Sequence, residues 1–315
     1  MAEVSAHIAW NERSDTMQDL SGRSIAWIGT GTMGGLMATR LLDARASLTV
    51  WNRTSERAAP LVGKGAKFAN SAAEAVRHAH FVVVMVEGDS ASQAVWNGKD
   101  GVFAGLRPDA IAIDCSTLSP VRTQALTERA GRLGMRFVAA PVSGSLPQAE
   151  AGTLMFLAGG AERDIEEAGI VFRHLGKGVH DLGSPPLASL SKLAVNGMLA
   201  CQVVAAAEAC GFLERAGLSL DAVSKLLAQT PVASPITMAT LRQIAAGNYD
   251  PLFPISMALK DLEYLASASD YLGTSLPMTN CAQDLLDRAR PWKSQNISAV
   301  AKLFSPSLPV ERIRK

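Results

Sequence analysis

The chain has 315 residues, enough for two domains of ordinary size and for a core that needs neither disulfides nor a structural metal. Hydrophobic residues make up 48% and charged residues 19%, which excludes a disordered chain or a solvated coil. With 30 basic and 29 acidic side chains the net charge is +1, so no strong field steers nucleic acid or anionic membrane toward it.

Residues 1–21 read as a flexible extension: Glu3, Glu12, Arg13, Asp15 and Asp19 interrupt any apolar run, so no secretory signal is expected there. From Ser24 short apolar runs alternate with helical patterns. Ser24–Ile28 reads as a strand, then a helix over Met33–Ala44, a strand Ser47–Trp51, a short helix Ser55–Val62 and a short strand Lys67–Phe68. Ser71 is a natural N-cap for a helix to about His78. Phe81–Val86, Ala110–Asp114, Arg136–Ala139 and Thr153–Ala158 read as further strands, with helices near Ser90–Val95 and Val121–Leu133. Continuous runs such as Val82–Val86 fit strands buried on both faces. Strands separated by helical segments imply βαβ units, hence a Rossmann-type, mostly parallel, doubly wound α/β sheet.

After Gly183-Ser184-Pro185-Pro186 the strand-like runs end. Helices are expected near 187–216, 221–228, 236–246, 256–272 and 278–290, so the division falls at 22–184 for the sheet domain and 185–315 for an all-α domain. Leu182–Ala207 is apolar enough to span a bilayer, but its Pro, Ser, Lys, Asn and Gln residues read as a buried helix, and no membrane association is expected. The tail from Ser305 reads as irregular. Cys115, Cys201, Cys210 and Cys281 form no CxxC pair and no metal-ligand spacing; they read as reduced core thiols of a cytoplasmic protein that binds no metal.

Five stretches carry chemistry. Gly29-Thr30-Gly31-Thr32-Met33-Gly34 is a GxGxxG between a strand and a helix. Its glycines allow the tight turn, the approach of a pyrophosphate to the backbone, and close helix–strand packing. The second strand ends in Trp51-Asn52-Arg53-Thr54, with no carboxylate to hold a ribose 2′-hydroxyl. Arg53 offers charge-assisted donors and Asn52 and Thr54 further hydrogen bonds, so NADP(H) is expected over NAD(H). Lys192 is the sole charged side chain from Leu182 to Ala207, and burial disfavours its ammonium form, which suits proton transfer near neutral pH. Asn196 follows one turn later on the same face. Ser116 and Thr117 fall at a strand's carboxyl end, where open α/β sheets bind ligands, and Ser143-Gly144-Ser145 can cradle a carboxylate.

Taken in order, the glycine turn, Asp114–Pro120, Ala140–Gly152 and Lys192–Asn196 resemble the β-hydroxyacid dehydrogenases over roughly residues 23–290. The resemblance implies a Rossmann domain, a long interdomain helix and a helical domain. It makes Lys192 the catalytic lysine and Asn196 its partner. Ser143, Gly144 and Ser145 become the substrate-carboxylate loop, and Thr117 a residue at the nicotinamide end that also touches substrate. Val86 and Glu87 lie over the dinucleotide, and Lys260 reaches it from the helical domain. It implies hydride transfer between nicotinamide and a small 3-hydroxy acid or aldehyde acid. The departures are Val195 where the family carries asparagine, Ser145 for a second glycine, and Glu87 for a small residue. Val195 favours one rival, an imine reductase or reductive aminase; a second rival, a non-catalytic NADP-binding module, is opposed by the intact Lys192. Residues 185–315 are too few for the large helical domain of a decarboxylating phosphogluconate dehydrogenase. Apolar faces on the helical half point to a homodimer or homotetramer.

Overall fold

The computed structural model describes residues 7–9, 20 and 22–305, so most of the expected extension and the tail beyond Ser305 lie outside the described residues. The chain divides into two compact units, Met1–Lys192 and Leu193–Lys315.

In the first unit strands and helices alternate: β1 (His7–Ala9), β2 (Ser24–Ile28), α1 (Thr32–Asp43), β3 (Ser47–Trp51), α2 (Ala59–Gly63), β4 (Lys67–Phe68), α3 (Ala72–Val76), β5 (Phe81–Val84), α4 (Gly88–Trp96), α5 (Val102–Gly105), β6 (Ile111–Asp114) and α6 (Pro120–Arg132). They continue as β7 (Arg136–Ala139), β8 (Val142–Ser143), α7 (Leu146–Ala151), β9 (Leu154–Ala158), α8 (Glu162–Leu175) and β10 (Gly176–Asp181). Six strands form one parallel sheet in the order β4-β3-β2-β5-β6-β7.

Alternation along the strands decides what covers this sheet. Ile25, Trp27, Phe81, Val83, Ile111, Ile113 and Val138 enter one core with Met37 and Leu41 of α1 and Ile165 and Phe172 of α8. Their neighbours Ala26, Ile28, Val82, Val84, Ala112 and Phe137 enter another with Val76 of α3, Trp96 of α4 and Leu126 of α6. Successive side chains point to opposite faces, so strands buried on both are apolar along most of their length, with Asp114 at the end of β6 the buried exception among these positions.

Four features go beyond the elements expected from sequence. α8 and β10 follow β9, and β9 joins a second sheet, β1-β10-β9-β8, rather than extending the first. Within it His7–Ala9 pairs antiparallel with β10, so part of the extension is a strand. The helix Ser55–Val62 splits into a 3₁₀ turn, Ser55–Ala58, and α2.

α9 (Pro185–Arg215) begins in the first unit and continues into the second, which adds α10 (Leu220–Ala228), α11 (Pro235–Ala246), α12 (Ile255–Leu272), α13 (Pro277–Arg288) and the 3₁₀ segment Ile297–Leu303. Val203, Ala207, Leu241, Ile255, Leu259, Leu262, Leu286 and Val300 form its core. α9 is long and apolar enough to cross a membrane by composition, yet half of its apolar window is buried within the protein. All four cysteines are free thiols; Cys115 and Cys210 are buried, whereas Cys281 lies on the exposed face of α13 and is not the core thiol its apolar context predicts.

Candidate active site

The strands β2, β5 and β6 end side by side, and their loops build one edge. At the first, Gly29 has φ +97° and a Cβ there would run into the Met85 carbonyl; a Cβ on Gly34 would run into the Gly29 carbonyl. Around Gly31 the space a side chain would fill is open. α1 starts here without a side-chain cap and without an acidic residue in its first turn. Thr30 Oγ1 is buried with no protein partner. An uncapped helix N-terminus, an orphaned hydroxyl and an open glycine are what a bound diphosphate would satisfy, so the turn fits a dinucleotide's pyrophosphate. Thr32 is exposed and Met33 half-buried at the head of the helix.

Asn52 has a role its spacing alone does not show. Its Oδ1 accepts from the Thr30 backbone N–H (3.0 Å) and its Nδ2 donates to the Thr54 carbonyl (2.8 Å). It therefore braces the glycine turn against the β3 loop, which leaves Arg53 as the charged donor at that end. Arg53 and Thr54 are exposed, and Arg53 forms no ion pair among the described residues.

The loops after β5 and β6 are tied together. The Val86 N–H donates to Ser116 Oγ (2.9 Å), and Asp89 accepts from both the N–H (2.9 Å) and the hydroxyl (2.6 Å) of Ser119. Ser189 of α9 donates to the Leu118 carbonyl (2.5 Å). Thr117 sits half-buried between these ties, and Glu87, at the N-cap of α4, is exposed. Asp114 accepts from Trp96 Nε1 (2.8 Å) and from the Ser116 N–H (2.8 Å). Burial pushes its carboxyl up to about 6, against these hydrogen bonds and the Arg122 charge, which favour the ionised form.

Ser143 belongs to β8, opposite Met155. Gly144 follows with φ +133°, a conformation that favours glycine. Ser145 is the N-cap of α7, its N–H donating to Gln148 Oε1 (2.9 Å). The S-x-x-Q pattern with Pro147 is a helix-start signal within the expected substrate-carboxylate loop. Ser145 thus shapes the loop as a cap.

Lys192 is 8% exposed and Asn196 is 5% exposed, one turn apart on α9, so the lysine is buried rather than snorkelling. In the second unit Asn196 Nδ2 donates to Asp261 Oδ2 (2.6 Å), and Lys260 Nζ donates to Asp261 Oδ1 (2.6 Å) while lying 4.7 Å from the Tyr264 ring centroid. Asp261, buried on α12, joins Asn196 and Lys260, a link that no sequence signal predicts. Asn196 lies 65 positions away from it.

Residues 24–183 match the family described as the NAD binding domain of 6-phosphogluconate dehydrogenase, and residues 188–304 match the one described as NAD-binding of NADP-dependent 3-hydroxyisobutyrate dehydrogenase. The NAD-dependent L-serine dehydrogenase of Pseudomonas aeruginosa is 29% identical over 90% of this chain and 99% of its own. The 3-sulfolactaldehyde reductase of Escherichia coli is 30% identical over 85% of this chain and 90% of its own. The crystal structure of 3-hydroxyisobutyrate dehydrogenase from Salmonella typhimurium superimposes with a TM-score of 0.82 at 25% identity, covering 90% of this chain and all of that one. The turn at Gly29–Gly34 therefore belongs to a nicotinamide-dinucleotide-binding domain.

Proposed function

The chain belongs to the β-hydroxyacid dehydrogenase family, and from that membership we propose that it is an NADP(H)-dependent oxidoreductase acting on a short acid that carries a primary alcohol or aldehyde. The observation that carries the reading is Lys192: a buried lysine, the sole charged residue from Leu182 to Ala207, within the same compact unit as the glycine turn.

The nicotinamide, when bound, supplies or accepts the hydride. The chain's own groups do the rest. Lys192 Nζ holds the proton that the new alkoxide takes up in reduction, and recovers it in oxidation. Asn196, held by Asp261, stands one turn along α9 and offers the substrate's polar end an oriented amide. Ser143 and Gly144 present a hydroxyl and backbone N–H groups to the acid, while Ser145, its N–H held by Gln148 in the cap of α7, shapes the loop. Thr117 contributes a hydroxyl at the nicotinamide end, and Val86 and Glu87 close over the dinucleotide. The family resemblance assigns Lys260 of α12 to cofactor binding. Supporting the substrate class, the relatives named above act on serine, sulfolactaldehyde and 3-hydroxyisobutyrate, each a short chain with an anionic group and an oxidisable or reducible terminal carbon.

The absence of an acidic residue at the end of β3, with Arg53 there instead and in no ion pair among the described residues, supports NADP(H) over NAD(H). Met198, Phe212, Val232, Tyr271 and Met278 are each more than two-thirds exposed, which supports a homodimer or homotetramer through the helical unit. Free thiols support a cytoplasmic setting.

A screen of NADPH oxidation over short aldehyde acids, keto acids and cyclic imines tests the reading, run beside Lys192→Ala. Aldehyde-acid turnover that falls about 10²–10⁴-fold in the variant, with NADPH affinity unchanged, is expected. Turnover of imines alone would transfer the chain to imine chemistry, and tight NADPH binding without turnover would make it a binding module.

A further inference from the structure

Asp114 ends β6 fully inside the protein, where an ionised carboxylate is disfavoured. Two N–H donors approach it, one to each oxygen: Trp96 Nε1 on Oδ2 and the Ser116 backbone on Oδ1. Only a carboxylate accepts from both; an asparagine would turn its own NH₂ toward one of them. The cavity beside it, lined by Ser116, Thr123, Phe137 and Ser189 among others, is about 10 Å³, room for one water and for no ligand. Asp114 therefore acts through its partners.

Those partners reach the glycine turn. Ser116, fixed by Asp114, accepts from the Val86 N–H. Met85, next to Val86, donates its N–H to Ile28 (2.8 Å) and backs so closely on Gly29 that no Cβ fits between them. Trp96, the other partner, ends α4, the helix that starts just after Val86, and is wedged between Phe103 (4.9 Å) and Phe137 (5.6 Å).

Resting on the dinucleotide reading of that turn, we propose that Asp114 is a positioning residue for the cofactor: through Trp96 and Ser116 it locks the loops after β5 and β6 into the shape that backs the glycine turn. The charged and titratable groups around it are Arg122 of α6, Asp89 of α4 beyond that arginine, and Cys115, whose thiol burial pushes up. Both donors favour the ionised form, so protonation of Asp114 loosens the lock.

The test compares wild type, Asp114→Asn, Ser116→Ala and Trp96→Phe by calorimetric NADPH binding at about pH 7.5 and about pH 5.5, either side of the group's titration near 6. Ser116→Ala leaves the buried carboxylate in place, so it serves if Asp114→Asn does not fold. Asp114→Asn and Ser116→Ala should each bind NADPH about tenfold more weakly at the higher pH. Acid should weaken the wild type more than Asp114→Asn, since partial protonation of the 2′-phosphate acts on both alike. In the cofactor-free protein the Trp96 indole N–H resonance, identified by its loss in Trp96→Phe, should move with pH in wild type and hold still in Asp114→Asn. Folded Asp114→Asn and Ser116→Ala variants with wild-type affinity would overturn the proposal and leave the dinucleotide reading intact. A wild type that binds neither NADPH nor NADH would overturn both.

Discussion

Arg53→Asp is the sharpest probe of cofactor choice. Asn52 is committed on both sides, to the Thr30 N–H and to the Thr54 carbonyl, so Arg53 is the charged donor at the end of β3. A hydrogen bond to a charged group contributes roughly 1.5–3 kcal/mol, so losing it should weaken NADPH use by about 10- to 150-fold. An aspartate there also repels the 2′-phosphate and can accept from a ribose 2′-hydroxyl, which should raise NADH use several-fold. The ratio of kcat/KM for NADPH over NADH should therefore fall by about 10²-fold or more. Because Arg53 is exposed, salt should narrow the wild-type ratio and leave the variant's nearly flat. Steady-state kinetics with both coenzymes at two ionic strengths reads these effects. An unchanged ratio would refute the assignment of Arg53, whatever the absolute rates did.

Asp261→Asn leaves one oxygen for two donors, Asn196 Nδ2 and Lys260 Nζ, and should lower the unfolding free energy by about 1–3 kcal/mol in urea titrations; wild-type stability would mean the cluster is not formed. Phe172→Ala on α8 removes a ring stacked at 4.2 Å on Phe156 and should cost about 3–5 kcal/mol, a value below 1 kcal/mol arguing against the packing of that helix on the sheet. Asp114 has its folded pKa raised from 3.8 to about 6, so the stability it contributes is fully present below about pH 4 and lost as pH rises through 6. Asp114→Asn should escape that loss, gaining on wild type by up to about 3 kcal/mol between pH 4 and pH 7, less whatever its mismatched hydrogen bond costs; thermal melts across that range check the sign.

The parts of the fold legible in the sequence are those whose signal is local. β2, β3, β4 and β7 fall where the apolar runs place them, and the helices of the second unit lie within a residue or two of their expected bounds. α8 and β10 escape for identifiable reasons. Ala161 precedes α8 and offers no capping side chain, and Gly169 interrupts its interior. β10 reads Gly-Lys-Gly-Val-His-Asp, with little intrinsic strand preference; pairing with β9 makes it a strand. The same division runs through the site. The glycine turn and Lys192 announce themselves by spacing and by isolation. Asp261 and the Asn52 brace depend on contacts between distant segments, which no window of sequence contains.

That contrast bears on how such a site is built. Strand alternation guarantees a sheet with two covered faces, but it leaves the loops at the carboxyl edge undefined. Here a loop is fixed by a side chain from another: Asn52 holds Thr30, Ser116 holds Val86, and Asp89 holds Ser119. Each tie uses a short polar side chain against a backbone N–H, a pairing that holds one geometry with little side-chain entropy lost. Rigidity at the cofactor edge thus arises from cross-loop bonds more than from any one loop's own turn chemistry. A buried carboxylate such as Asp114 is tolerated, despite its desolvation, where two such N–H donors must be held at once.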